Sequence, residues 1–290
     1  MELLTFIVGC KGRLDHLKQT LPILAQFPNT RCIVVDFDCP EKCGDWVEHT
    51  LPKVQVIRVP NRPRWLHAEV RNKGMQAVET PWVCFTDADI RFDPKFVEVV
   101  APLLRPRSFF CAAQYDIGTA GTIICSREDF HMVEGYDEMF QDWGFEDADF
   151  RYRLDLAGAR KAGFPDQLVE HIDHDNSIRV QFHDAKEPIR SWAANKAYAL
   201  VKWNLMAAVK GPVSKSLRSK AYRWAVEETA RVYQGKPPRE LKLVLERYEL
   251  DDEKCHFQVG RALLFTLEPL QAGNEQLMPG ANNKPVANAP

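Results

Sequence analysis

The sequence predicts an α/β fold, an open and mostly parallel sheet with helices on both faces, on three observations. Short, nearly continuous apolar runs recur at residues 3–8, 32–35, 54–59 and 82–86, the signature of strands buried on both faces. Helical stretches lie between them, with Leu14, Leu17, Leu21 and Leu24 on one stripe and residues 67–78 forming another helix. Polar constellations follow the runs, and in open α/β sheets ligands bind in the crevice outside the carboxyl ends of the strands. Chemistry is therefore expected at those ends.

The first run ends at Gly9-Cys10-Lys11-Gly12-Arg13, and the helix after it carries Pro22, placed to kink it. The second run ends at Asp36 and the fourth at Asp87. Further short strands are expected at 109–113 and 121–125, the latter followed by Ser126-Arg127-Glu128-Asp129, a capping-box-like helix start. Residues 146–156 read as helix and 167–172 as a last strand. From Glu187 the composition changes: Pro188 suits a first helical turn, and a long helix carries Trp192, Ala199, Trp203 and Met206 on a rough stripe as far as Lys210. Gly211-Pro212 breaks it, and helices are expected over 214–234 and 239–250, with Gly235-Lys236-Pro237-Pro238 between them. Residues 271–290, rich in Asn, Pro, Gly and Ala, should be disordered. The expected organisation is a catalytic domain over 1–185, a basic helical appendage over 186–270 and a tail.

With 290 residues, 45% hydrophobic and 27% charged, and a net charge of −2, the chain is neither a disordered tail, a fibrous repeat nor a small disulfide scaffold. No run approaches the roughly 18 apolar residues of a membrane span, and the first residues lack a charged n-region and cleavage site. A cytoplasmic location is expected. Several of the eight cysteines sit inside apolar runs and read as reduced core residues. Cys39 and Cys43, four apart around Pro40 and without a second such pair, do not make a zinc ribbon. Between 186 and 247, fourteen lysines and arginines face five acids. That excess suits an anionic acceptor or peripheral association with the inner membrane face, and equally a solvated face of a helical cap. Nucleic acid is not expected, because no recognised motif accompanies the charge.

Asp87-Ala88-Asp89 places two carboxylates two apart where a buried strand runs out, so both can face one ligand. Such a pair suits magnesium or manganese bridging a diphosphate, although a turn or helix cap would use the same residues. Lys11 or Arg13 could meet a phosphate or a base, and Asp36 a base or sugar, though taken singly Asp36 reads as an ordinary loop residue. Downstream, Asp142-Trp143-Gly144-Phe145-Glu146-Asp147-Ala148-Asp149 opens a helix. The helix dipole accounts for one or two of these acids but not for Trp143-Gly144, which suits a flat platform for a sugar ring beside a carboxylate able to take a hydroxyl proton. In His171-Ile172-Asp173-His174 the two histidines would diverge on a strand but can share a metal at a turn.

Together these residues resemble a glycosyltransferase of the GT-A fold, a Rossmann-like sheet. They are similar to family 2 enzymes and to the galactosyltransferase branch, whose acceptor motif reads Trp-Gly-x-Glu-Asp-x-Asp. The resemblance covers about residues 1–185, and Arg71-Asn72-Lys73-Gly74 is similar to the Arg-Asn-x-Gly helix that such enzymes place near the donor. It implies that Gly9, Lys11, Arg13, Asp36, Arg71, Asn72, Asp87 and Ala88 hold the nucleotide sugar. It further implies Asp89 as the direct ligand of Mn2+ or Mg2+, completed by His174 with His171 beside it. Trp143, Gly144 and Glu146 would bind the acceptor, and Asp147 would be the general base. The implied reaction is inverting, metal-dependent transfer of a hexose or N-acetylhexosamine from a UDP-sugar to a saccharide or lipid-linked glycan. A nucleotidyltransferase is the rival enzyme, but it leaves Trp143–Asp147 without a task and lacks a clear triphosphate loop. A non-catalytic sugar-nucleotide or glycan-binding module is the other rival.

Overall fold

The computed structural model describes residues 2–114, 116, 118–252 and 255–267, and of 246–252 and 255–260 the backbone only. Its first half alternates strand and helix: β1 (Leu4–Cys10), α1 (Leu14–Leu24), β2 (Thr30–Asp36), α2 (Cys43–Thr50), β3 (Gln55–Arg58), α3 (His67–Met75) and β4 (Trp82–Asp87). There follow β5 (Ile90–Phe92), α4 (Phe96–Val100), β6 (Ser108–Ala112), β7 (Ile123–Ser126), α5 (Arg127–Met132), α6 (Glu146–Leu156), β8 (Arg160–Phe164), β9 (Val169–His171) and α7 (Asn176–Arg179). Two long helices, α8 (Pro188–Val209) and α9 (Lys215–Tyr233), precede a hairpin of β10 (Leu241–Asp252) and β11 (Cys255–Phe265).

Seven strands form one open sheet in the order β3-β2-β1-β4-β7-β6-β8. β3, β2, β1 and β4 run parallel, and β8 is parallel to β6; β7 alone opposes its neighbours. Alternate residues of β1 enter opposite faces, as a two-residue period requires. Phe6 and Val8 pack with Leu17, Leu21 and Leu24 of α1 and Phe96 of α4. Ile7 packs on the other face with Val70 and Met75 of α3 and Phe150 and Leu154 of α6. Helices thus cover both faces. A third cluster joins Phe140 to Tyr198 and Leu205 of α8 and Trp224 of α9.

Four strands, α1, α3, α6, α8 and α9 stand where the apolar periodicity put them, and Ser126 caps α5 through the Asp129 N–H at 2.9 Å. The expected helix over 239–250 is instead strand β10. Leu241, Leu243 and Leu245 alternate with Lys242 and Val244, a strand period, and Leu241 and Leu243 are buried on the α8–α9 cluster. The last expected strand is β9, which pairs with β5 outside the main sheet. That small ribbon decides the site, because it sets Ile90 opposite His171 and lets the Ile172 N–H donate to the Asp89 carbonyl at 2.8 Å. No helix among the described residues is long and apolar enough to cross a membrane. The expected tail, 271–290, lies outside the described residues.

Candidate active site

The carboxyl ends of β1 and β4 floor a cleft lined by Gly9, Lys11, Arg13, Asp87, Ala88 and Asp89. Trp143, His171 and His174 face the same space. Asp89 and the two histidines, 85 positions apart at the extremes, meet because β5 and β9 pair. His174 Nε2 lies 2.8 Å and His171 Nε2 3.7 Å from Asp89 Oδ2, and one ligand atom from each of the three falls within 4.8 Å of the others. Burial alone would raise the Asp89 pKa, but hydrogen bonds to His171 and His174 and the Arg13 charge hold it below the usual carboxylate range. His171 moves the other way, raised by its contact with Asp89.

This donor set fits a divalent ion. Two imidazoles and one carboxylate disfavour magnesium, which prefers an all-oxygen octahedron, and leave room for substrate oxygens on a softer ion such as manganese. Arg13 adds a second indication. Its side chain is partly buried, with a pKa lowered by that burial, and its buried Nη1 has no hydrogen-bond partner although Asp87 and Asp89 stand near. A buried, unpartnered cationic donor beside such a cluster is suited to a phosphate oxygen.

Beneath the cleft, Arg71 of α3 ties Asp87 to the acidic start of α6. Its Nη1 donates to Asp147 Oδ1 and its Nη2 lies 3.3 Å from Asp87 Oδ1. Gly121 lies against this cluster: a Cβ there would come within 2.8 Å of both Arg71 Nη2 and Asp87 Oδ2. Glu146, also buried, is pushed up to about 8 by burial first and the Asp147 charge second, with Arg71 opposing. Near neutral pH it is therefore mostly a neutral carboxyl, able to donate a hydrogen bond.

That shift carries a stability signature. The folded value lies above the unfolded value near 4.5, so the native state binds more protons and Glu146 removes stability as pH rises through that window. Glu146→Gln, which keeps the neutral form, should gain on wild type by at least about 1.4 kcal/mol between pH 5 and pH 8. Denaturant unfolding at both pH values measures the difference, and a constant gap would show that Glu146 is already ionised in the fold.

The turn before α6 is built for an unusual path. Asp142, Gly144 and Phe145 all have positive φ (59°, 98° and 76°). Gly144 suits this conformation, and a Cβ there would come within 2.8 Å of Trp192 Cδ1. Helix α8 holds the turn from behind: Asn195 Nδ2 donates to the carbonyls of Gln141 and Gly144 at 3.0 and 2.7 Å, and Ser191 Oγ to that of Trp143 at 3.0 Å. The segment following His174 roofs the cleft. Arg179 stands over the Trp143 ring at 5.3 Å, and the Phe182 carbonyl accepts the Trp65 N–H at 2.8 Å.

Some expected nucleotide contacts lie elsewhere. Asp36 does not line the cleft; its oxygens accept the N–H groups of Cys39 and Gly44 at 2.9 and 3.1 Å, so it organises the loop before α2. Asn72 binds the Tyr136 backbone and Glu138. Lys11 reaches the cleft, yet its ammonium is held by the carbonyls of Phe37, Asp38 and Arg62. Trp65, His67, Arg179 and Phe182, which the sequence did not single out, do line the cleft. The one available signal was the aromatic and basic content of the loop before α3 and the segment after His174.

A family model described as the N-terminal domain of galactosyltransferase matches residues 106–179, the stretch from β6 to α7 that holds Trp143–Asp149 and both histidines. Among solved structures, the mannosyltransferase PcManGT from Pyrobaculum calidifontis, in complex with GDP-Man and Mn2+, superposes with a TM-score of 0.52 at 17% identity, covering 80% of this chain and 74% of that one. S. aureus TarS 1–349 in complex with UDP gives a TM-score of 0.52 at 13% identity, covering 89% of this chain and 98% of that one. No curated protein matches. The chain has the GT-A glycosyltransferase fold. The GT-A sheet puts the carboxyl ends of β1 and β4, with Asp87–Asp89, beside the Trp143–Asp149 turn.

Proposed function

We propose that the chain is a metal-dependent, inverting glycosyltransferase that moves a hexose or N-acetylhexosamine from a UDP-sugar to a saccharide hydroxyl. The observation that carries this reading is the meeting of Asp89, His171 and His174 in a cleft where Arg13 presents an unpartnered guanidinium nitrogen. Asp89, His174 and His171 would hold Mn2+, which when bound supplies charge stabilisation to a diphosphate leaving group. Arg13 takes a phosphate oxygen, and Asp87 at the end of β4 faces the ribose. The acceptor sugar enters over Trp143. Glu146, neutral near pH 7, orients it by hydrogen bonding, and Asp147 Oδ2, the oxygen not taken by Arg71, removes the proton of the attacking hydroxyl. Attack on the face opposite the leaving diphosphate inverts the anomeric carbon. The structural neighbours' complexes with GDP-Man and Mn2+ and with UDP support the donor class.

The test is thermal stabilisation by a panel of nucleotide diphosphates and their sugars with and without Mn2+, since a ligand that binds the native state raises its melting temperature. UDP should stabilise only with the metal. In His174→Ala the Mn2+ concentration for half-maximal stabilisation should rise at least about tenfold. Stabilisation by UDP that ignores both metal and the substitution would remove the reading.

A further inference from the structure

A second cluster of metal-ligating side chains lies outside the cleft lining. Cys10 ends β1, Cys39 sits in the loop after β2 and Cys43 opens α2. All three are buried, and their Sγ atoms lie within 4.8 Å of one another. We propose that Cys10, Cys39 and Cys43 form a structural site for a thiophilic d10 divalent ion, zinc by preference, that staples the β2–α2 loop to the end of β1.

Three features of the chemistry support this. A tetrahedral zinc with Zn–S bonds of about 2.3 Å sets its sulfurs roughly 3.8 Å apart, so the observed spread needs only a small contraction. Cys39-Pro40-Glu41-Lys42-Cys43 is a Cys-x3-Cys hairpin within the ligand spacing of zinc sites; what the sequence lacked was the partner, which β1 supplies from 29 positions upstream. The surroundings also favour thiolate. The Gly12 N–H donates to Cys39 Sγ at 3.3 Å, Cys43 stands in the first turn of α2 at the positive end of its dipole, and the Lys11 ammonium lies on the Phe37 and Asp38 carbonyls just before Cys39.

Binding releases up to three protons to solvent, one from each thiol, and leaves three thiolates on a dication, a single net negative charge beside Lys11. Among the described residues no fourth Cys, His, Asp or Glu shares the cluster, so a water or a backbone carbonyl completes the tetrahedron. Copper(I) would leave two net negative charges in a buried place, which is why zinc is preferred. The consequence is mechanical. Asp36, Lys11 and the loop 37–42 are all tied to this cluster, so the ion would fix the turn that carries Arg13 into the cleft.

The experiment uses the reduced full-length chain carrying Asp89→Asn, which removes the carboxylate from the cleft's own ligand set. One equivalent of Co2+ should give a near-ultraviolet thiolate-to-cobalt charge-transfer band that one equivalent of zinc abolishes. X-ray absorption of the zinc form should show three sulfur neighbours at about 2.3 Å. Cys43→Ser should weaken zinc retention against a competing chelator at least tenfold. If Cys43→Ser fails to fold, the spectra of the Asp89→Asn chain still decide. A cobalt spectrum without sulfur charge transfer, a zinc shell of only nitrogen and oxygen near 2.0–2.1 Å, or a band of undiminished intensity in Cys43→Ser would each overturn the site.

Discussion

Asp147→Asn is expected to lower transfer to an acceptor hydroxyl by about 10²- to 10⁴-fold, the usual cost of losing a general base, while metal-dependent binding of UDP persists. Two acids compete for this role at the start of α6, and their environments separate them. Glu146 is fully buried and pushed up to about 8, so near neutral pH it is a poor proton acceptor. Asp147 has Arg71 on Oδ1, while its Oδ2 faces Gly121, 3.4 Å from where a Cβ there would stand. A guanidinium on one oxygen fixes the orientation of the carboxylate, as a positioned base requires. The pair of variants therefore discriminates. Transfer of radiolabelled sugar at pH 7 should survive Glu146→Gln within about tenfold and fail in Asp147→Asn. Near wild-type transfer by Asp147→Asn would take the base role from Asp147, and a larger loss in Glu146→Gln would hand it to its neighbour.

The parts of this design that were legible in the sequence are those set by short-range periodicity. The runs at 3–8, 32–35 and 82–86 became β1, β2 and β4 because a strand buried on both faces has no polar positions to spare, and the Leu14–Leu24 stripe became α1 because its leucines recur on one helical face. Topology then carried Asp87, Asp89 and Arg13 to one crevice. Three-residue strands such as β5 and β9 are too short to show a period, yet their pairing joins Asp89 to His171. The fate of Asp36 was equally hidden, because its partners are backbone N–H groups of its own loop, which no side-chain pattern records. The Cys39–Cys43 pair looked solitary for a related reason: its third member belongs to a strand whose apolar run gives thiols no special mark. At 239–250 the charged residues between the leucines obscured a two-residue period that burial of Leu241 and Leu243 makes plain.

Lys202→Met should destabilise the fold by about 3–5 kcal/mol, the cost of stranding buried charge, although Met preserves most of the lysine's volume. The ammonium is almost wholly buried between two carboxylates, 2.8 Å from Asp137 Oδ2 and 2.7 Å from Asp149 Oδ1. Tyr198 and Arg218 complete Asp137, and Trp203 and Arg153 complete Asp149. The last acid of the Trp143–Asp149 motif is thus an anchor for α8 and not a contact for substrate. Burial would raise Asp137, but Lys202 and Arg218 hold it down to about 2. Its folded pKa lies below the unfolded value of 3.8, so its stabilising contribution is present above about pH 4 and lost as pH falls toward 2. Removing Lys202 raises that pKa, and the gap between variant and wild type should therefore shrink as pH falls from 7 to 4, when the stranded acid can take a proton. Urea unfolding across that range measures it, and a gap that is small at pH 7 or grows on acidification would show that the network tolerates the lost charge. The same substitution should reach the chemistry, because Ser191 and Asn195, about two to three turns earlier on α8, hold the carbonyls of the Trp143–Gly144 turn. A helix loosened at Lys202 frees that turn, so acceptor KM should rise in Lys202→Met while the metal dependence of UDP binding, set by Asp89 and the two histidines, stays at its wild-type value.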